Sequence, residues 1–378
     1  MGFGSAFSGD IVEIPFISVD NFDNFDRSGY FLSHYHSDHI CGLDKDRLYN
    51  NLVVNDVYVY TSEVTAAIIS CDKPKLKDYV RGLKLGTNTV SIKHNGNEEI
   101  FTVVLLPAGH CFGSVMFLFK INNRTILYTG DFRVSRNSVS KFTHFHTKCG
   151  DPIIIDAMYV DTTFQRVADF PTREETVESV IMQIKDWLGK SERHCIALHT
   201  SARYGYEYAF NQIYKNVGMK IFVPNNTTWR VYSQFEGVLP GVTSDRESTR
   251  IHICSNRTEH GNHRQCIPND DRNVYLYVHF SAMIWNGYDE DETFIMKKGT
   301  NRINVCFATH CSRSELVNFI NYLSPKRIVG FSEDFVKSPV KNNSDFIITP
   351  RKRRVSFNID RHIDCGRKVA KHILEDMF

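Results

Sequence analysis

Between residues 99 and 133 the chain reads as short apolar runs, "EIFTVVLLP", "SVMFLFKI" and "TILYTGDF", separated by "AGHCFG" and the turn "NNR". Runs of this length, rich in β-branched and aromatic residues and bounded by Gly, Asn and Asp, predict consecutive strands with tight connections. Another buried strand is expected in "PIIIDAMYVDTTF" at 152–164. The period then changes to that of a helix. In "PTREETVESVIMQIKDWLGK", Val177, Val180, Ile181, Ile184, Trp187 and Leu188 share one face, Thr172 and Glu175 form a capping box, and Gly189 ends the run. Strand-like "HCIALHT", helical "YGYEYAFNQIYKNVG" stopped by Gly218, and strand-like "MKIFV" follow. This alternation predicts a mostly parallel sheet. After a polar stretch at 225–272 come strands in "NVYLYVHF" and "NRINVCFATH". A helix follows in "SRSELVNFINYLS", with Ser312 and Glu315 as a second capping box, then a short strand in "KRIVGF" and a weakly amphipathic final helix.

At 378 residues, 42% of them hydrophobic, the chain can bury a large core in two domains or one elaborated domain. A formal charge of +2, from 45 basic and 43 acidic residues, leaves nucleic-acid binding to local patches. Cysteines at 41, 71, 111, 149, 195, 254, 266, 306, 311 and 365 form no CxxC and no dense framework, which favours a reducing compartment. No secretory leader and no run of eighteen apolar residues are found, so a soluble intracellular protein without a membrane partner is expected.

The densest chemistry lies in "YFLSHYHSDHICGL" at 30–43. Along an extended segment side chains alternate, so His34 and His36 point the same way and can face one ion. Asp38 and His39 then turn towards a neighbouring position. Later strand ends add His110 in "LLPAGHCFGS" and Asp131 in "ILYTGDFR". His34, His36, His110 and Asp131 would make one site, and Asp38 and His39 begin a second, with Asp131 able to bridge. This donor mixture suits one or two Zn²⁺ ions, and a carboxylate-rich second site could take Mn²⁺ or Mg²⁺. Two ions about 3.5–4 Å apart can activate a water and stabilise the leaving oxygen of a phosphodiester. Cys111, His94, His194 and His279 are expected to be structural.

At His34 to His39, His110 and Asp131 the chain resembles the metallo-β-lactamase superfamily, whose HxHxDH signature these residues match. Asp20, in "ISVDNF", is similar to the family's early aspartate, which implies that it supports the metal loop. "MYVDTTF", "SARYGYEY" and "VCFATHCSRSEL" resemble the β-CASP nucleic-acid-processing branch, in particular its Artemis-like and DNA cross-link repair nucleases, over about residues 14–330. The resemblance implies a four-layer αββα sandwich with an inserted, Rossmann-like α/β β-CASP domain. The expected division is 1–160 for the first part of the sandwich, 161–309 for the insert and 310–378 for the return and a basic end.

It also implies that Asp161 and His310 are the acidic and histidine motifs of the branch. Asp38, Asp131, Asp161 and His310 are then the catalytic candidates. His310 would complete the second metal site or protonate the leaving 3′-oxygen, with Asp161 orienting it. From the residues themselves, His310 precedes Ser312, the cap of a helix whose free N–H groups could hold a phosphate, with Thr309, Ser312 and Ser314 adding hydroxyls. A third motif, a histidine in RNA-cutting members and typically valine in DNA-cutting ones, aligns with Val329. Ser201 stands where the branch has a basic residue, and Arg203 is placed to take over phosphate contact. Arg133 and Arg136 are further candidates for holding DNA. A structural zinc of the branch would use His252, Cys254 and Cys266; its remaining histidine position is Phe222, leaving His260 or His263 to substitute.

The reading is a metal-dependent DNA nuclease acting on ends, overhangs or hairpins, as a 5′-exonuclease or a structure-specific endonuclease. In-line attack by an activated water would leave a 5′-phosphate and a 3′-hydroxyl. A monomer in the nucleus working with DNA end-joining repair proteins is expected, and basic "PRKRRVSF" at 350–357 is compatible with nuclear import. The rivals are an RNA-processing endonuclease of the same branch, a small-molecule hydrolase and a non-catalytic DNA scaffold.

Overall fold

A computed structural model describes residues 7–254, 273–285 and 294–337. The basic segment 350–357, the final helix, His260, His263 and Cys266 lie outside these residues.

Two sheets face each other around the histidine loop. Four parallel strands, Ile17–Val19, Gly29–Phe31, Val59–Ser62 and Val80–Leu83, form the first in that order. In the second, Gly86–His94, Asn97–Pro107, Val115–Ile121 and Arg124–Tyr128 make an antiparallel meander, extended in parallel by Ala157–Asp161 and Ile328–Phe331. The run "TVVLLP" is apolar at successive positions because both faces of its strand are covered. Val103 and Leu105 pack inward against Ile17, Val19 and Phe31, whereas Val104 and Leu106 face Leu316 and Phe319 of the helix Arg313–Leu323. Helices Asp46–Val54 and Glu63–Asp72 cover the outer face of the four-stranded sheet through Leu48, Leu52, Ile68 and Ile69. The layers are therefore helix, sheet, sheet, helix, the αββα sandwich.

The chain leaves the six-stranded sheet after Asp161 and re-enters it at Ile328. Between them lies a seven-stranded sheet in the order Val242–Thr243, Ile221–Phe222, Ile251–Cys254, His194–His199, Val274–Phe280, Arg302–Val305, Ile295–Lys297. Every neighbouring pair is parallel except the last. Its helix Arg173–Leu188 begins and ends where the sequence places it, and Glu207–Val217 ends as expected but begins three residues later than the run from Tyr204 predicts. Thr172 and Glu175 exchange both capping-box bonds, and Gly218 takes φ +77°, a left-handed stop natural to glycine. One apolar cluster runs from Leu32 and Ile68 beneath the sandwich helices to Tyr204, Tyr232 and Val305 of the insert.

Two expectations need correction. The strand expected at 152–164 is confined to Ala157–Asp161: Ile154 is exposed and the Asp156 carboxylate accepts the Thr125 N–H, so the preceding residues do not join the ladder. Residues 46–83, for which the pattern predicts nothing, supply two helices and two strands. Their strands are only four residues long, too short to show a period. Among the described residues no helix is long and apolar enough to cross a membrane.

Candidate metal centre

The histidine loop begins where the strand Gly29–Phe31 ends, and Asp20, at the end of the neighbouring strand, anchors it. Asp20 adopts φ +54°, a conformation that short polar residues tolerate. Its buried carboxylate accepts Ser33 N (2.7 Å), Ser33 Oγ (2.6 Å), His39 Nδ1 (2.8 Å) and Tyr128 Oη (2.8 Å). Gly130 lies against the same serine at φ +52°; a Cβ there would sit 2.6 Å from Ser33 Oγ. The glycine of "TGD" thus lets the Asp131 strand end approach the histidine loop.

These contacts decide which ring nitrogens carry protons. Ser33 Oγ gives its only hydrogen to Asp20, so at 2.9 Å from His34 Nδ1 it must accept, and His34 Nε2 is left bare. His110 Nδ1 donates to the Thr309 carbonyl (3.0 Å), leaving Nε2 bare. His36 Nε2 donates to the Tyr204 carbonyl (3.0 Å), leaving Nδ1 bare. His39 Nδ1 donates to Asp20, leaving Nε2 bare. The bare atoms converge. His110 Nε2 and His36 Nδ1 are 2.9 Å apart, and the Nε2 atoms of His34, His39 and His110 lie 3.7, 3.2 and 3.6 Å from Asp131 Oδ2. His34 Nε2 and His39 Nε2 are buried without a hydrogen-bond partner. Lone pairs facing lone pairs and a carboxylate at these distances repel unless a cation lies among them.

The electrostatics agree. Burial, with mutual repulsion among the histidines, pushes His34 and His110 well below the ordinary imidazole range, and burial also lowers His36. These three rings are neutral donors. Burial opposes a charge on His39 as well, but Asp131 and Asp20 outweigh it and hold that ring well above its ordinary value, so its Nε2 takes up a proton unless another cation stands there. Positive charge is thus favoured where Asp38, His39 and Asp131 meet, with Asp38 Oδ2 3.7 Å from His39 Nε2.

His310 stands on the far side of Asp131, its Nε2 4.0 Å from Asp131 Oδ2. Its Nδ1 donates to Asp161 Oδ2 at 2.7 Å, and Asp161 is itself held by Thr163 N and Oγ1. Burial works against the imidazolium, but Asp161 and Asp131 raise His310 to about 9. His36, His110, Asp131 and His310 open onto a cavity of about 620 Å³ whose walls also include Tyr35, Asp38, Arg203, Thr309 and Ser332.

Several expected contacts are placed elsewhere. The N–H groups that open the helix Arg313–Leu323 are already taken: Arg313 N by the Val167 carbonyl, Ser314 N by the Ala168 carbonyl, and Glu315 N by Ser312 Oγ. Ser312 is fully buried and bonds Asp169, and Ser314 Oγ meets Ser312 Oγ at 3.1 Å. That helix start therefore offers no donor set to a phosphate, and Thr309 is the hydroxyl residue of the group that lines the cavity. Arg133 is buried, bonded to Glu315 and to the carbonyls of Ala308 and Pro171, so it braces the His310 strand end rather than touching DNA. Arg136 pairs with Asp169 on the surface. Val329 packs on the sandwich core opposite Tyr159; the residue of that segment which reaches the cavity is Ser332. Arg203 lines the cavity but pairs with Asp72. His252 and Cys254 share one strand of the insert, with Phe222 paired beside His252.

Ser33, Tyr128, Thr163 and Tyr204 do not stand out in the sequence. Each works by fixing the tautomer or position of another residue; Thr163 and Tyr204 lie in stretches that carry a family signal, "MYVDTTF" and "SARYGYEY", but nothing in those letters singles them out.

Residues 237–331 match the family described as DNA repair metallo-beta-lactamase. Over 339 residues the chain is 34% identical to human protein artemis, covering 85% of this chain and 48% of that protein. It is 32% identical over 334 residues to the 5′ exonuclease Apollo of Rattus norvegicus, covering 83% and 53% of the two chains. With the DNA cross-link repair protein SNM1 of Arabidopsis thaliana it shares 27% identity over 316 residues, 80% and 60% of the two. The chain thus spans about half the length of the curated relatives it matches. A crystal structure of a protein of unknown function from Enterococcus faecalis V583 superposes with a TM-score of 0.50 over 80% of this chain and 75% of that one; at 14% identity this is a likeness of fold alone. Taken with the αββα sandwich and its inserted sheet, these matches mean that the chain belongs to the DNA repair metallo-β-lactamase family, in the β-CASP branch of that superfamily.

Proposed function

We propose that this chain is a metal-dependent DNA nuclease that hydrolyses phosphodiesters at ends, overhangs or hairpins during repair of double-strand breaks or cross-links in the nucleus. The observation that carries it is the convergence of four bare imidazole nitrogens, of His34, His36, His39 and His110, around the Asp131 carboxylate in an open cavity. His34, His36, His110 and Asp131 fit one Zn²⁺, and Asp38, His39 and Asp131 fit a second ion, Zn²⁺, Mn²⁺ or Mg²⁺. When bound, such ions supply Lewis acidity and an ionised water at neutral pH.

The remaining steps belong to side chains. Asp38, half exposed at the cavity, is placed to orient the attacking water and accept its proton. His310 holds a proton at Nε2 towards the cavity for the leaving 3′-oxygen, and Asp161 keeps the ring turned that way through Nδ1. Ser33, Thr309 and Tyr204 keep the metal-facing nitrogens free of protons. DNA would lie along the cleft between the sandwich and the insert, since both supply its walls.

DNA rather than RNA rests on the relatives, whose names speak of DNA cross-link repair and 5′ exonuclease activity, because Val329 does not reach the site. End-joining repair proteins as partners, and action as a monomer, complete the reading. The test is cleavage of matched DNA and RNA oligonucleotides, beside a lactam and a thioester, by wild type and by His310→Ala and Asp161→Ala. DNA cleavage that collapses in both variants is expected. Cleavage of RNA alone, or variants that keep full activity, would refute the assignment.

A further inference from the structure

Of the described residues lining the cavity, Arg203 is the only arginine or lysine, and it is not free. Its Nη1 lies 2.9 Å from Asp72 Oδ1, while Asp72 Oδ2 accepts Tyr35 Oη at 2.7 Å. Asp72 closes the helix Glu63–Asp72 of the sandwich, and Arg203 sits on the insert, so the pair spans the cleft. Arg203 cannot easily swing away with its loop. The next residue, Tyr204, holds His36 through its carbonyl. Thr163, Thr309 and Ser332 add hydroxyls to the lining beside His36, His110 and His310, and the Ser201 hydroxyl is bonded to Tyr206. A terminal phosphate monoester carries about −1.5 to −2 at pH 7. An internal diester carries one negative charge, which these hydroxyls and the His310 Nε2–H can hold without Arg203.

We infer that Asp72 is a specificity-determining residue: by neutralising Arg203 it makes the cleft accept a singly charged internal phosphodiester and removes the preference for a terminal 5′-phosphate that an open arginine would give. The inference rests on the nuclease reading and names which phosphate that site selects. It also fits the state of Asp72. Burial would raise its carboxyl, but the bonds from Tyr35 and Arg203 outweigh this and keep it below the usual carboxylate range, so it is charged at neutral pH.

The test measures binding without cleavage. The full chain in EDTA is titrated with 3′-fluorescein single-stranded DNA bearing either a 5′-phosphate or a 5′-hydroxyl, and fluorescence anisotropy gives the two Kd values. Wild type is expected to bind both within about threefold. Asp72→Asn should shift the ratio towards the phosphate by about fivefold, the upper range for a partly exposed ion pair. Tyr35→Phe should shift it the same way by less, which decides the matter if Asp72→Asn does not fold. Adding Arg203→Gln to Asp72→Asn should abolish the shift. A wild type that prefers the 5′-phosphate beyond threefold, or an unchanged ratio in the folded Asp72 and Tyr35 variants, overturns the inference. Because the ratio needs no catalysis, a chain that shows it yet cuts no DNA would sink the nuclease reading alone.

Discussion

Asp20 shows how one residue can organise a site it does not enter. Its carboxylate takes four hydrogen bonds, two from Ser33, one from His39 and one from Tyr128, and through them sets the tautomers of His34 and His39. Asp20→Asn turns an acceptor into a partial donor at the centre of that network. Metal affinity should fall about 10- to 100-fold, the usual cost of losing such an outer partner, by calorimetric zinc titration of the folded variant. Wild-type affinity would mean that the rings are oriented some other way. Gly130→Ala should act through the same serine, because its Cβ would displace Ser33 Oγ; loss of metal from a variant with normal circular dichroism is the expected result. At this scale the sequence is informative about which histidines and carboxylates gather. It is silent about Ser33 and the carbonyls of Thr309 and Tyr204, since a backbone oxygen has no letter of its own. Proximity along the chain also misleads: Arg133 lies two residues from Asp131 yet is buried against Glu315.

Among the elements, helices with capping boxes were the most legible. Thr172 and Ser312 each accept the N–H three residues on, as their spacing from Glu175 and Glu315 implies. Thr172→Ala should cost about 1 kcal/mol by urea denaturation, the usual value of a helix cap. Strand ends were less legible. "KRIVGF" is a strand as expected, but only the register with Ala157–Asp161 shows that Val329 faces the core while Ser332, beyond the last pair, turns to the cavity. The strand Ile251–Cys254 adds a pH effect. Burial, with Arg246 nearby, pushes His252 from 6.5 down to about 4. In the metal-free chain the unfolded state binds the extra proton first, so stability should fall as pH drops from 6.5 towards 4, by up to about 3 kcal/mol. Urea midpoints at both ends of that window, for EDTA-treated wild type and His252→Gln, should show a smaller loss in the variant; equal losses would remove His252 as the cause.

For the molecule as a whole, the sandwich and its insert share the cluster that joins Leu32 and Ile68 to Tyr204, Tyr232 and Val305. Secondary structure and tryptophan fluorescence should therefore report one unfolding transition, whereas two separated midpoints would show that the insert melts alone. The same junction gives the cleft its two walls and brings Tyr204 of the insert onto His36 of the sandwich. Fold class was legible because alternating strands and helices follow a strand-rich region. The contacts across the junction were not, because they pair residues up to about 200 positions apart, as His110 with Thr309. Whether the histidines and Asp131 hold catalytic metal is decided by cleavage of hairpin DNA alongside metal content, for wild type, EDTA-stripped wild type and Asp131→Ala. One or two ions per chain and cleavage are expected in the wild type, with rates lower by about two to three orders of magnitude in the other two. Cutting at the wild-type rate by folded, metal-free Asp131→Ala would contradict catalysis by metal held there.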